Sequence, residues 1–196
     1  AGVCHRYGVP LLVDNAHGAY LKFLPESLHP MDAGADLCCD SAHKTLPAMG
    51  QAALLFTNGI DPGQVRRTAA IYGTSSPSYP ILASMDAARA WLEGDGARAY
   101  RQTALRVAQL RSRFPSLTGN LSLDPARLTL NVQDGPSFAR SLEEQNIFPE
   151  MEDGGHVVFI CTPQDLEENF DRLERALEGL PLDEHLAEAL TGLQVG

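Results

Sequence analysis

Two short apolar runs near the start of the chain constrain its fold most, because each leads directly into polar residues of a reactive type. Residues 9–13 are mostly apolar and lead to Asp14, and residues 37–39 are apolar and precede a stretch that contains Lys44. Short apolar runs of this kind are typical of buried strands. Neighbouring parallel strands end at the same edge of a sheet, where ligands bind in α/β folds. We therefore expect Asp14 and Lys44 to belong to one site.

This pair of side chains indicates a specific chemistry. A lysine can form a Schiff base with the aldehyde of pyridoxal phosphate, and an aspartate can pair with the protonated nitrogen of its pyridine ring. Each residue alone is more often a turn or surface residue, but the flanking Ser41 and His43 favour the cofactor. A metal site built from Asp14, His17 and His43 is disfavoured, because the sequence has neither a His-Glu-x-x-His pattern nor a cysteine ligand spacing.

The stretch Ser41-x-His43-Lys44, followed by Gln51, resembles the pyridoxal-phosphate attachment signature of the Orn/Lys/Arg decarboxylase family. Residues 13–18 resemble the strand of that family that meets the cofactor nitrogen. A third segment of resemblance comprises residues 74–79 and 83–89. The chain departs from the signature at three positions, which are Cys39, Pro47 and Gly50.

The resemblance implies an α/β fold with two parts. Residues 1–116 would form the C-terminal part of the cofactor-binding large domain of a fold type I enzyme, which is the aspartate-aminotransferase type. Residues 117–196 would form a small α+β domain. Family members carry a Ser/Thr loop for the cofactor phosphate and a ring-stacking histidine upstream of this region. We therefore expect the chain to represent the C-terminal half of a family member.

The resemblance also implies roles for individual residues. Lys44 and Asp14 would be catalytic together with His43, a candidate proton donor. His43 and Ser41 would position the phosphate or the lysine, and Ala16 would leave room for the ring face. The complete set of implied cofactor-binding residues is Asp14, Ala16, His17, Ser41, His43, Lys44, Thr74 and Ser75.

Two of these residues imply a partner subunit. In the family, the segment that contains Thr74 and Ser75 reaches the cofactor phosphate of the neighbouring subunit, so the resemblance implies a homodimer or larger assembly with shared active sites. Three consecutive hydroxyl residues before Pro77 could instead cap the following helix.

The implied reaction is decarboxylation of arginine, lysine or ornithine to the amine and CO₂, a step of polyamine biosynthesis. Glu150, Glu152 and Asp153 are candidates to bind the distal cation, although a solvated acidic loop explains them equally well. Another fold type I activity (aminotransferase, aldolase or desulfurase) stays open, with Arg127 as the candidate carboxylate-binding residue of an aminotransferase. A fragment that no longer binds the cofactor is the third alternative.

Composition excludes some functions and supports others. The net charge of −10 disfavours a nucleic-acid partner, which requires a basic surface. No apolar run approaches the roughly 18 residues of a membrane span, so we expect no membrane partner. We interpret the four cysteines as reduced core residues of a cytoplasmic protein, with adjacent Cys38 and Cys39 on opposite faces of a strand.

Hydrophobic patterns predict the secondary structure. We expect a helix over residues 97–114 with a buried stripe, separated from a helix over residues 81–92 by a break at residues 94–96. Asn58-Gly59 predicts a hairpin turn, and Thr162 predicts a helix N-cap. Further strands are predicted at residues 51–57, 127–132 and 157–161, and further helices at residues 62–69, 136–145 and 183–193.

Overall fold

The computed structural model describes residues 1–118 and 123–183. Contacts within the chain divide it into two units, Ala1–Arg98 and Ala99–Gly196. This division falls at the start of a long helix. The domain boundary at residue 116, which the family resemblance implies, is a different boundary and stays a prediction. Within the described residues, no helix is both long enough and apolar enough to cross a bilayer.

The first unit combines a three-stranded sheet with helices. The sheet has the order β1-β2-β3, with β2 in the centre. Its elements in chain order are α1 (Gly2–Arg6), β1 (Leu12–Asp14), a 3-10 helix (Ala19–Phe23), β2 (Leu37–Asp40), α2 (Ala42–Thr45), β3 (Leu54–Thr57), α3 (Pro62–Tyr72) and α4 (Tyr79–Trp91).

The two apolar runs form adjacent parallel strands, as the sequence predicts. Leu12 pairs with Leu37 and Asp14 with Cys39, while β3 runs antiparallel to β2 on its other side. The first strand begins at Leu12 rather than residue 9, because backbone N–H groups before Leu12 form hydrogen bonds outside the strand ladder. The N–H of Val9 donates to the carbonyl of Cys4, and the N–H of Leu11 donates to the Asp36 carboxylate.

Three local predictions in this unit are wrong. The strand after the lysine begins at Leu54 rather than residue 51, because Gln51 turns the chain in the left-handed region with φ 75°. Asn58-Gly59 leads into α3 and not into a hairpin strand. Residues 94–96 do not break the helix, because a π-helical turn (Leu92–Gly96) carries it directly into α5 (Ala97–Arg113).

The second unit packs helices on an antiparallel sheet. Its strands have the order β4-β6-β5. After α5 its elements are β4 (Arg127–Asn131), α6 (Gly135–Glu143), β5 (Met151–Glu152), β6 (His156–Ile160) and α7 (Glu167–Glu178). The sequence did not predict β5, whose two residues are too short to show a pattern.

Apolar residues at alternate positions of β4 and β6 form part of the core of this unit. Leu128, Leu130, Val157 and Phe159 are buried on one sheet face, as period-two patterning requires. The buried stripe predicted for α5 is confirmed. It consists of Tyr100, Val107, Leu110 and Phe114.

One expectation for the second unit is corrected. The N–H of Thr162 is held by the Asp165 carboxylate in a turn, so Thr162 is not an N-cap and α7 begins at Glu167. Arg106 and Arg113 of α5 make ion pairs with acidic residues of α7. The helix predicted over residues 183–193 lies almost wholly outside the described residues.

Truncation of the core should unfold the second unit far more readily than truncation at its surface. Leu128→Ala removes a side chain that is 0% exposed, whereas Leu105 on α5 is 65% exposed. We expect Leu128→Ala to lower the free energy of unfolding by about 2–5 kcal/mol. Leu105→Ala should cost less than about 1 kcal/mol, as surface substitutions do. Equal shifts of the urea midpoint for the two variants would contradict this core assignment.

Acid should weaken the turn between β5 and β6. Asp153 accepts hydrogen bonds from the N–H groups of Gly155 and His156, and these together with the His156 ring hold the pKa of Asp153 below its ordinary value of 3.8. This stabilisation is complete above the unfolded-state pKa and is lost as the pH falls through the lower folded-state pKa. Asp153→Asn should therefore lose less stability than the parent between neutral pH and about pH 3, measured by urea unfolding. An equal loss of stability in the parent and in Asp153→Asn would contradict this role of the carboxylate.

Candidate active site

The end of the first strand presents a carboxylate at the sheet edge. Asp14 is the last residue of β1, pairs in register with Cys39, and is exposed. The ladder continues one residue further, because the N–H of Asn15 donates to the carbonyl of Cys39 over 2.9 Å. The residues before and after Asp14 are therefore both attached to β2, which fixes the backbone of Asp14 relative to that strand.

The lysine follows the end of the neighbouring strand. After Asp40 the chain turns through Ser41 into the single helical turn of α2, in which Ala42 and Thr45 are buried and Lys44 is exposed. Burial of the small residues on one side of this turn directs the lysine to the other. Because β1 and β2 are parallel, Asp14 and the Lys44 turn both lie at the carboxyl edge of the sheet, which is the predicted arrangement.

His43 is oriented by the chain that returns to the sheet. Its Nδ1 lies 2.9 Å from the carbonyl oxygen of Ala52, and its backbone N–H donates to the same oxygen over 3.2 Å. The left-handed turn at Gln51 brings Ala52 into this position. The ring therefore carries its proton on Nδ1, and its Nε2 is the nitrogen that can accept a proton or hydrogen bond from a ligand.

The other predicted site residues fall into two groups. Ala16 and His17, both partly buried, directly follow β1, and Ser41 directly follows β2, so all three lie in the segments that leave the same sheet edge. Thr74 and Ser75 are exposed in the separate segment between α3 and α4, where the N–H of Ser76 donates to the Thr74 hydroxyl. Their predicted role concerns a neighbouring subunit and stays a prediction.

The adjacent cysteines Cys38 and Cys39 lie on opposite faces of the central strand β2. Cys38 is buried and Cys39 is exposed, so the predicted opposite orientation is confirmed, but the prediction that Cys39 is a core residue is wrong. All four cysteines are unpaired thiols. Burial raises the pKa of Cys38 to about 12, with a contribution from Asp40. The pKa of Cys39 is also raised, first by desolvation and then by the charge of Asp14.

The sequence did not identify a buried polar cluster on the opposite sheet face. There the Asp40 carboxylate contacts His29 and Asn15 over 2.8 Å each. The signal available in the sequence was Asp40 itself, because alternation from buried Cys38 places this carboxylate on the inner face. A cavity of about 560 Å³ on that face is lined by His29, Asp40 and the apolar side chain of Phe56.

Comparisons with known proteins identify the family and the fold class of the chain. The chain matches the family model described as "Orn/Lys/Arg decarboxylase, major domain" over residues 2–130. It is 32% identical to an arginine decarboxylase of Bacillus subtilis, covering 89% of this chain and 40% of the relative. The chain thus spans about two-fifths of the length of the curated relatives that it matches.

Solved structures define the fold class. The lysine decarboxylase LdcF of Francisella novicida superposes with a TM-score of 0.72 and 25% identity, covering 87% of this chain and 32% of that one. A serine palmitoyltransferase of Sphingomonas wittichii superposes with a TM-score of 0.68 and 16% identity, covering 90% and 48% respectively, and this likeness concerns the fold alone.

The fold is therefore part of the fold type I class of pyridoxal-phosphate enzymes, as expected from the resemblance. Within this class, the chain belongs to the Orn/Lys/Arg decarboxylase family.

Removal of the Asp14 charge should make Cys39 more reactive. Asp14 contributes to the raised pKa of the neighbouring thiol, and only the thiolate reacts with alkylating reagents. We therefore expect Asp14→Asn to accelerate the alkylation of Cys39 at a fixed, mildly alkaline pH, measured by peptide mass spectrometry. Asp86→Asn, which alters an exposed carboxylate on α4, should leave the rate unchanged. An equal rate in parent and Asp14→Asn would show that the two groups do not interact.

Proposed function

We propose that this chain supplies the lysine- and aspartate-bearing part of a pyridoxal-phosphate-dependent decarboxylase that acts on a basic amino acid. The observation that supports this most strongly is the parallel pairing of β1 and β2, whose carboxyl ends carry Asp14 and the Lys44 turn. Membership of the family adds the reaction class. The arginine and lysine decarboxylases named above, together with the description of the family, make arginine, lysine and ornithine the substrates to test.

The donor set at the sheet edge fits the cofactor. When bound, pyridoxal phosphate supplies an electron sink for the bond between the substrate Cα and its carboxylate. Asp14 would hold a proton on the pyridine nitrogen, an electrostatic contribution that grows as negative charge enters the ring. Lys44 would provide the amine that attaches the cofactor aldehyde and is displaced by the substrate amine.

The remaining residues of the edge would orient these two groups. His43, held by the Ala52 carbonyl, offers Nε2 toward a ligand and is the candidate to hold or deliver a proton. Ser41 precedes the lysine turn and makes no side-chain capping bond within it, which leaves its hydroxyl suited to a phosphate oxygen. Ala16 would leave space for the ring face, and His17 would contact the ring edge or the substrate.

A second subunit would complete the site. Thr74 and Ser75 are exposed hydroxyl residues, which suits a contact with the cofactor phosphate of a neighbouring chain. We therefore propose a homodimer or larger assembly with shared sites. As in the family, the amine product would enter polyamine biosynthesis, and we propose a cytoplasmic location.

Three acidic residues before β6 are the candidates to bind the distal cation of a basic substrate, and the hydrogen bonds of Asp153 make it the weakest of the three. Oδ1 of Asp153 accepts from the N–H groups of Gly155 and His156, and His156 Nδ1 lies 3.0 and 3.2 Å from its two oxygens, so this carboxylate is already engaged within its own turn. Glu152 and Glu150 are the remaining acidic residues of this segment. The aminotransferase alternative gains little from Arg127, because its Nε lies 3.4 Å from the Asp124 carboxylate.

The chain's lysine content makes attachment of the cofactor straightforward to test. Lys22 and Lys44 are its only lysines, and Lys22 makes an ion pair with Asp32 over 2.6 Å. Borohydride treatment of the protein with added pyridoxal phosphate should place the cofactor on Lys44, identified by peptide mass spectrometry. Lys22→Arg should retain this labelling and Lys44→Arg should abolish it. Labelling of Lys22 instead would refute the site.

Carbon dioxide release tests the reaction itself. Protein supplied with pyridoxal phosphate and not treated with borohydride should release CO₂ from one of arginine, lysine and ornithine, and Asp14→Asn should lower the rate by roughly 10²-fold or more. Labelling of Lys44 with amino-group transfer but without CO₂ release would favour an aminotransferase. Absence of labelling would favour the interpretation that this chain by itself does not bind the cofactor.

A further inference from the structure

A buried carboxylate lies directly behind the lysine turn. Asp40 is 1% exposed and His29 is 3% exposed. His29 Nε2 lies 2.8 Å from Asp40 Oδ2, and Asn15 Nδ2 donates to Asp40 Oδ1 over 2.8 Å. The Cys38 thiol donates to the same oxygen over 3.3 Å. A buried carboxylate requires such donors, because desolvation of an unpaired charge is costly.

The hydrogen bonds of His29 determine its tautomer. The N–H of Met31 donates to His29 Nδ1 over 3.3 Å, so Nδ1 is an acceptor and the ring proton lies on Nε2. His29 is therefore a neutral donor to Asp40. Its backbone carbonyl accepts from Asp32 and Ala33, which fixes the loop that presents the ring.

This tautomer also argues against a metal at the cluster. Ligand atoms of His29, Cys38 and Asp40 lie within 4.8 Å of one another. His29 Nε2 donates its proton to Asp40 and His29 Nδ1 accepts from the N–H of Met31, so neither nitrogen offers an unused lone pair to a metal. A metal would also need the Cys38 thiolate, and the pKa of that thiol is raised to about 12 by burial and by Asp40.

The cluster ties together the two segments that carry the proposed catalytic residues. Asn15 directly follows Asp14, and Asp40 directly precedes Ser41 at the start of the lysine turn. The backbone N–H of Asn15 continues the strand ladder, and its side chain adds a second link to β2 through Asp40. Loss of this link would weaken the attachment of the end of β1 to the end of β2.

We propose that His29 and Asn15, acting through Asp40, are positioning residues that fix Asp14 relative to the Lys44 turn. This inference rests on the proposed function for its catalytic consequence, but the positional effect itself can be measured without the cofactor. The probe is Cys39, which pairs in register with Asp14 and whose pKa responds to the charge of Asp14.

The experiment compares the effect of Asp14→Asn on Cys39 alkylation in several backgrounds of the cofactor-free chain. In the parent, Asp14→Asn should accelerate alkylation. With His29→Phe, which keeps a ring but removes the donor, this acceleration should disappear. With His29→Gln, which restores an N–H donor, it should return. Asn15→Ala should behave like His29→Phe and provides the test if His29→Phe does not fold.

The opposite end of the same strands supplies a matched control. His5 Nε2 lies 2.8 Å from Asp36 Oδ2, and Asp36 also accepts from the N–H of Leu11 at the amino end of the pair. His5→Phe therefore removes an equivalent donor without touching the carboxyl edge. In this background the acceleration by Asp14→Asn should be the same as in the parent. Protection of Cys38 from alkylation shows in every variant that the fold persists.

The outcomes separate this inference from the proposed function. Unchanged acceleration in both folded His29→Phe and Asn15→Ala would overturn the positioning role, whatever the cofactor does. Loss of acceleration only in these two backgrounds would support it, even if no cofactor attaches to Lys44.

In cofactor-bound protein, His29→Phe should lower borohydride labelling of Lys44 and His29→Gln should restore it. Labelling equal to the parent in His29→Phe would contradict the catalytic consequence.

Discussion

The pairing of two parallel strands, only three and four residues long, holds the candidate site together. So short a ladder contains few backbone hydrogen bonds, and buried or partly buried carboxylates extend it at both ends. Asp36 receives the N–H of Leu11 at the amino end, and Asp40 receives the side chain of Asn15 at the carboxyl end. Each carboxylate also has a histidine at 2.8 Å, so the register that aligns Asp14 with the lysine turn is fixed from two directions.

The two units use different interactions to become ordered. In the second unit the strands alternate strictly, and apolar burial on one sheet face accounts for the packing of α5, α6 and α7. In the first unit the face that carries Asp14 remains exposed, with Leu12 59% and Leu55 46% exposed. Polar side chains therefore take a larger part in fixing the strand ends there. Polar networks of this kind specify position more than they add stability.

Short-range patterns predicted the features that depend on local sequence. The parallel strand pair, the position of the lysine after the second strand and the stripe of α5 follow from runs and periodicity. The strand start at Leu12 could not be predicted, because it depends on the distant Asp36. Likewise, a glycine-containing stretch indicates a break, but only its packing shows that the helix continues through Gly94 in a π-helical turn. The role of His29 depends on tertiary proximity to Asp40, which no spacing in the sequence reveals.

The most direct measurement is a crystal structure of the borohydride-reduced complex with pyridoxal phosphate. The account predicts a covalent bond from Lys44 to the cofactor, with the pyridine nitrogen at about 2.6–3.0 Å from a carboxylate oxygen of Asp14. A ring attached to Lys44 whose nitrogen faces another group or solvent, with Asp14 turned away, would contradict the assignment of the two strand ends to one cofactor.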